Sequence, residues 1–226
     1  TLGGEAVTVK SKFKTFFEQL FYVDLRALSL VRILIGAFLT FLFCTHLLTA
    51  EGLLSDFGVM TRSSIINSNY PFNSSLFYIN GHPWFQTALL LIAMVSSVLF
   101  TLGYRSHLTG LLSWIFLMSI IHRNEDITYG AHNSMAAILF WTMFAPMNRF
   151  YSLDSKTLTR PEKTIIFSWA GVALMIQWGV VILGAATFKA EHKDFWVTQG
   201  VAVQNFLELS LNKNFISNVV FQYPWI

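Results

Sequence analysis

Long apolar runs recur along the 226 residues of this chain, and nearly all of its charged residues fall in the connections between them. A hydrocarbon core about 30 Å thick takes about 20 apolar residues as a helix, because backbone polar groups inside it can bond only within the segment. The runs at about 28–50, 83–103, 108–121, 134–146 and 165–188 therefore read as spanning helices, and a further run opens at Phe215. The expected fold is all-α, a polytopic transmembrane bundle of about five to six spanning helices, forming one domain over residues 1–226.

Composition agrees with a bilayer as solvent. Charged residues make up 12% of the chain and hydrophobic ones 54%, where an average soluble domain carries roughly 25% charged. The net charge of +3 is dispersed and gives no footprint for nucleic acid. Cys44 is the single cysteine, so no internal disulfide forms; within an apolar run it reads as a small buried hydrophobe. Ahead of the first run, residues 10–27 set Phe13, Phe16, Phe17, Leu20 and Phe21 at helical spacing among Lys10, Lys12, Lys14 and Glu18, a pattern for a helix lying in the membrane interface. Residues 196–211 read as a shorter helix on the bundle or in the interface. The first apolar run is too long for a signal peptide. A start at Thr1 and a stop within "FQYPWI" suggest part of a longer chain.

Charge asymmetry gives an orientation. Lys10, Lys12, Lys14, Arg26, Arg105, Arg149, Lys156, Arg160 and Lys163 fall on one side of the expected bundle, against Arg62, Arg123, Lys189 and Lys193 on the other. Cytoplasmic loops carry the excess of Lys and Arg. The N-terminus is therefore expected in the cytoplasm, with loops 51–81, 122–133 and 189–195 outside.

That orientation collects His46, His122, Arg123, Asn124, His132, Asn133 and Lys189 at the outer helix ends. Ionisable groups at membrane depth are costly and so are candidates for function. Each also has a plain structural reading. His132 follows Gly130 at the start of a helix, as a capping partner or as an acid–base group facing the bundle, and Asn133 is an equally good N-cap. Arg123 and Asn124 end a helix, touching headgroups or a ligand. Gln177, mid-helix, bridges helices or touches a ligand, while Arg32 has a structural role near the inner side. Lys189 either snorkels beside an anchoring Trp196 or, desolvated at a helix end, acts as a base. His46, His122, His132 and His192 show no HExxH spacing and no CxxC accompanies them, so no metal is expected. A P-loop, a GxSxG motif and a dinucleotide fingerprint are absent as well.

Four blocks together resemble a known family. "LRALSLVRILIGAFLTF", "GLLSDFGVM", "SIIHRNEDITYGAHNSMAAILFWTMFAPMNRFYSLD" and "GAATFKAEHKDFWVTQGVAVQNFLE" are similar to the HTTM (horizontally transferred transmembrane) domain, over about Phe21 to Glu208. Vitamin K-dependent gamma-carboxylases share this domain with many bacterial membrane proteins, one of which serves the production of a sporulation-delaying peptide toxin. The resemblance implies Lys189 as the base toward a reduced quinone of the vitamin K kind and His132, or Asn133 beside it, as the group stabilising the quinol. By their position in the expected bundle, Arg123, Asn124, His46 and Gln177 are expected to line the ligand site. The resemblance also implies a bacterial inner-membrane location. The family's adjacent lysine pair is a single lysine here, and no part of the chain matches the large lumenal domain that presents glutamate, so glutamate carboxylation is not implied. Two functions stay open: a carboxylase-like enzyme with a quinol or lipid-like ligand, or a non-catalytic integral subunit of a larger membrane complex or of a peptide toxin or secretion system.

Overall fold

The computed structural model describes residues 16, 21–66, 74–124, 127–128, 130–158, 162–194 and 196. These are mostly helical. Two short strands, β1 (Tyr22–Asp24) and β2 (Ile165–Phe167), accompany α1 (Leu25–Leu48), α2 (Ala50–Leu54), α3 (Arg62–Ile66), α4 (Pro83–Leu102), α5 (Ser106–Arg123), α6 (Gly130–Thr142) and α7 (Trp169–Glu191). The chain divides into two compact units, residues 1–175 and 176–226, with the division inside α7.

In the first unit α1 packs along α4, α4 on α5 and α5 on α6, which also touches α1. The helices alternate in direction. Arg32 near the start of α1 lies beside Gly103 at the end of α4, and His46 near the end of α1 lies beside His132 at the start of α6. The unit therefore has an Arg32 end and a His46 end.

Polarity across these helices is the reverse of a soluble protein's. The inward face of α1 carries Ser29, Arg32, Gly36 and His46 among Leu25, Leu28, Ile35, Leu39 and Phe43, while Leu34, Phe41 and Leu48 are exposed. On α4 the buried residues include Gln86, Ser96 and Ser97, and the exposed ones include Leu91, Ile92 and Val95. A helix apolar on its outer face has lipid or another protein as its solvent. Cys44 is on that outer side of α1, exposed; it is no buried hydrophobe, because the inward stripe passes through Phe43 and His46 instead.

Close helix contact explains the small residues. A Cβ at Gly36 would overlap Thr101 Oγ1 and lie 2.9 Å from Thr101 Cα, so the backbones of α1 and α4 meet there. Thr40 and Ser97 hydroxyls bond across the same seam at 2.9 Å, and Ser96 bonds to Ser113 of α5 at 3.1 Å. Small residues and interhelical hydroxyl bonds are how helices associate where hydrophobic driving force is weak.

At the Arg32 end, α4 stops at Gly103, whose φ of 71° is left-handed backbone that favours glycine. Its neighbours would also crowd any side chain: a Cβ there would overlap Ser152 and lie 2.8 Å from Arg32 Cζ. Arg32 is fully buried and donates from Nη1 to the Met147 carbonyl at 3.0 Å and from Nη2 to the Tyr151 carbonyl. It is structural, as its sequence context suggested, but it binds loop carbonyls and does not reach water. Asp154 of the "YSLD" segment accepts from the backbone N–H groups of Arg105 at 2.9 Å and Ser106 at 3.3 Å. It thereby caps α5 from a distant part of the chain, since Arg105 offers no side-chain cap.

Among the described residues three helices, α1, α4 and α7, are long and apolar enough to cross a membrane. The 18 residues of α5 carry His107 at one end and His122–Arg123 at the other, which shortens its apolar run. The 13 residues of α6 reach only about 20 Å at 1.5 Å per residue. It begins earlier than the expected 134, at Gly130, and stops at Thr142. Pro146 disfavours helical backbone in the residue before it, and the chain turns there through Ala145 and Met147 to the Arg32 end.

The interfacial helix expected over 10–27 lies largely outside the described residues. Its last part is otherwise: Tyr22–Asp24 pairs antiparallel with Ile165–Phe167 in the register Val23↔Ile166, where β-branched residues suit a paired strand. Asp24 then caps α1, accepting from Arg26 N at 2.8 Å. The ribbon shortens the helix expected at 165–188, which begins at Trp169 and runs on through Lys189 to Glu191. From Met175 to Asp194 every described residue is exposed except Gln177, which is half-buried. The short helix expected at 196–211 and the run from Phe215 lie outside the described residues, Trp196 excepted.

Candidate functional site

Polar candidates at the His46 end separate into two groups. The first is a clamp. Arg123, at the last position of α5 and fully buried, donates from Nη2 to the carbonyls of Met60 at 2.9 Å and Ser55 at 3.4 Å. Asn124 donates to the Leu53 carbonyl at 3.0 Å. Asp56 stands between two guanidinium groups, 2.7 Å from Arg62 Nε and 3.9 Å from Arg123 Nη2. Arg62 also donates to the Tyr78 carbonyl at 2.9 Å, and Tyr78 sets its ring 5.8 Å from the Arg123 guanidinium and its hydroxyl on the His122 carbonyl at 2.7 Å. Burial pushes the Asp56 carboxyl up, but the backbone and side-chain hydrogen bonds from Arg62, with the charges of Arg62 and Arg123, outweigh it and hold the group below its ordinary value of 3.8.

Arg123 and Asn124 thus fasten the "GLLSDFGVM" segment, residues 52–60, onto the end of α5. Asp56, Arg62 and Tyr78 were not among the sequence candidates. A lone aspartate six residues before a lone arginine, in a loop whose one other charge is Glu51, was the available signal.

The second group is a pair of imidazoles. His46, on the inward stripe of α1, and His132, in the first turn of α6, are each 7% exposed, with ring centroids 5.8 Å apart. His46 Nε2 is buried without a hydrogen-bond partner among the described residues. An unsatisfied buried polar group costs on the order of 1–3 kcal/mol, and a hydroxyl-bearing ligand would relieve it. Because α6 starts at Gly130, His132 and Asn133 are inside the helix and neither is its N-cap; Asn133 is exposed. Among the described residues no three His, Cys, Asp or Glu side chains gather as a metal site would require.

Lys189 and Gln177 belong to the second unit, on α7. Lys189 is in the last turn of that helix, exposed, and its Nζ stands 4.9 Å from the Trp196 ring centroid. A cation over an indole face and near a helix C-terminus is held at both by electrostatic attraction. Phe188 and His192 stack beside it with centroids 4.6 Å apart. The two sequence readings of Lys189 are both compatible with this position, but the visible contact is the one with the anchoring tryptophan.

Compared with protein-family models, with curated proteins and with solved structures, the chain matches none.

Proposed function

We propose that this chain is an integral membrane protein of the HTTM kind that binds a reduced quinone, or another lipid-soluble hydroxyl compound, at the buried His46–His132 pair. The observation that carries the reading is His46 Nε2, a buried nitrogen without a hydrogen-bond partner among the described residues, on a ring 5.8 Å from the buried His132 ring. The reversed polarity of α1 and α4 supports the membrane, and the sequence resemblance supports the quinol. The base role of Lys189 in the carboxylase-like reading rests on the resemblance alone. An inner membrane with a cytoplasmic N-terminus follows from the resemblance and the charge asymmetry.

Binding of a short-chain naphthoquinol to the protein in phosphatidylcholine nanodiscs tests it. His46→Phe should weaken binding at least tenfold with helicity unchanged. Lys189→Arg should keep binding but abolish any quinol-dependent oxygen uptake, because guanidinium stays protonated and accepts no proton. Equal quinol affinity in His46→Phe, His132→Phe and the parent would overturn the proposal. The second reading, a non-catalytic subunit, is favoured by the clamp: Arg123 and Asn124 are spent on loop carbonyls.

A further inference from the structure

In the stretch 53–60, between α1 and α4, the backbone and Asp56 are bonded inward. Backbone carbonyls of Leu53, Ser55 and Met60 accept from Asn124 and Arg123, Asp56 is taken by Arg62, and the Asp56 N–H reaches the Gly81 carbonyl at 2.9 Å. Among the described residues, Glu51, Ser63, Ser64 and Ser74 are exposed on the segment joining α1 to α4, and three large apolar side chains are exposed with them. Phe57 is 72% exposed, Val59 85% and Ile79 68%. Large apolar groups exposed together mark an interaction surface.

Their level on the molecule is set by contacts. The Phe57 ring lies 5.7 Å from His82, the residue that precedes α4, and His82 lies 6.2 Å from Trp84 in the first turn of that helix. Trp84 is 61% exposed and shares a face with the exposed Leu91 and Val95, so the Phe57 side is continuous with the apolar outer face of a helix long enough to span. Tryptophan at the end of a spanning helix sits at the headgroup boundary. Ile79 also lines an apolar groove of ≈ 450 Å³ with Leu76, Ile115 and Met118, along the side of α5.

We propose that residues 57–59 and Ile79 are seated in the lipid leaflet at the His46 end, with Phe57, Val59 and Ile79 inserted at the headgroup–acyl boundary and α3 left on the water side. The occupant of the exposed patch is lipid, because the patch continues a lipid-facing helix row and is bordered by an interfacial tryptophan. The inference rests on the membrane reading given above, and its test separates the two.

In a Cys44→Ser background, spin labels are attached at Phe57→Cys, Val59→Cys, Ile79→Cys, Ile92→Cys and Ser63→Cys, and the protein is reconstituted in phosphatidylcholine vesicles equilibrated with a water-soluble nickel chelate. Ile92 is exposed in the middle of α4, and Ser63 is exposed on the polar α3. Collision with oxygen should exceed collision with nickel severalfold at 57, 59, 79 and 92, and the order should reverse at 63. Oxygen at 92 but nickel at 57 and 59 overturns this proposal while leaving the membrane reading intact. Nickel at 92 overturns both. Labels at 57 and 59 reached by neither reagent would show a protein cover, a partner or a second copy, and would also overturn it.

Discussion

Arg32 and Arg123 are both fully buried, and both are answered mainly by backbone carbonyls of loops that the chain brings back to them. A buried cation without partners is among the most expensive groups in a fold, so each arginine makes one loop conformation strongly preferred. Arg123 has a carboxylate nearby as well, and this gives a pH dependence. The Asp56 carboxyl is held below its ordinary value of 3.8 in the folded state, so its contribution is fully present above that pH and is lost as pH falls further, through the lowered folded-state value. Asp56→Asn should lower stability by about 1–3 kcal/mol at neutral pH. It should also flatten the acid limb below pH 3.8, read as the midpoint of denaturant unfolding in detergent against pH. An unchanged acid limb would show that the clamp carries no such linkage.

At the scale of elements, the seam between α1 and α4 depends on one missing side chain. Gly36→Ala places a Cβ 2.9 Å from the Thr101 backbone and should cost about 1–3 kcal/mol through forced separation of the helices. Gly52→Ala on α2 meets nothing within 4 Å and should be neutral or slightly stabilising, because alanine loses less backbone entropy in a helix. Comparing the two thermal unfolding midpoints in one detergent checks both. The helices themselves were legible in the sequence because their apolar runs are long and their ends carry Pro83, Gly103 and His122–Arg123. The ribbon of Tyr22–Asp24 with Ile165–Phe167 was not, since three-residue strands have too little pattern to show a partner some 140 positions away. His46 and His132 were legible as candidates by depth, but their pairing depends on which faces α1 and α6 turn to each other. Arg123 and Asn124 read equally well as ligand groups or helix ends, and only the loop they fasten separates those possibilities.

For the molecule as a whole, the charge asymmetry predicts which end faces outward. A single cysteine at Ser74, which is exposed beside the short turn at Leu76–Tyr78, should react with an impermeant thiol reagent applied to intact cells. One at Ser155, at the Arg32 end, should react only after the membrane is opened. The reverse labelling would turn the protein over and put the His46 end in the cytoplasm. Asp154 has a consequence for how such a molecule is made. The first amides of α5 and the guanidinium of Arg32 wait for partners in residues 147–154, so both are unmet until that stretch of chain has been made. The Arg32 end of the α1–α4–α5 bundle is completed only once residues 147–154 have been made. A released chain that ends at Thr142 should stay with the insertion machinery, and one that ends after Lys156 should leave it.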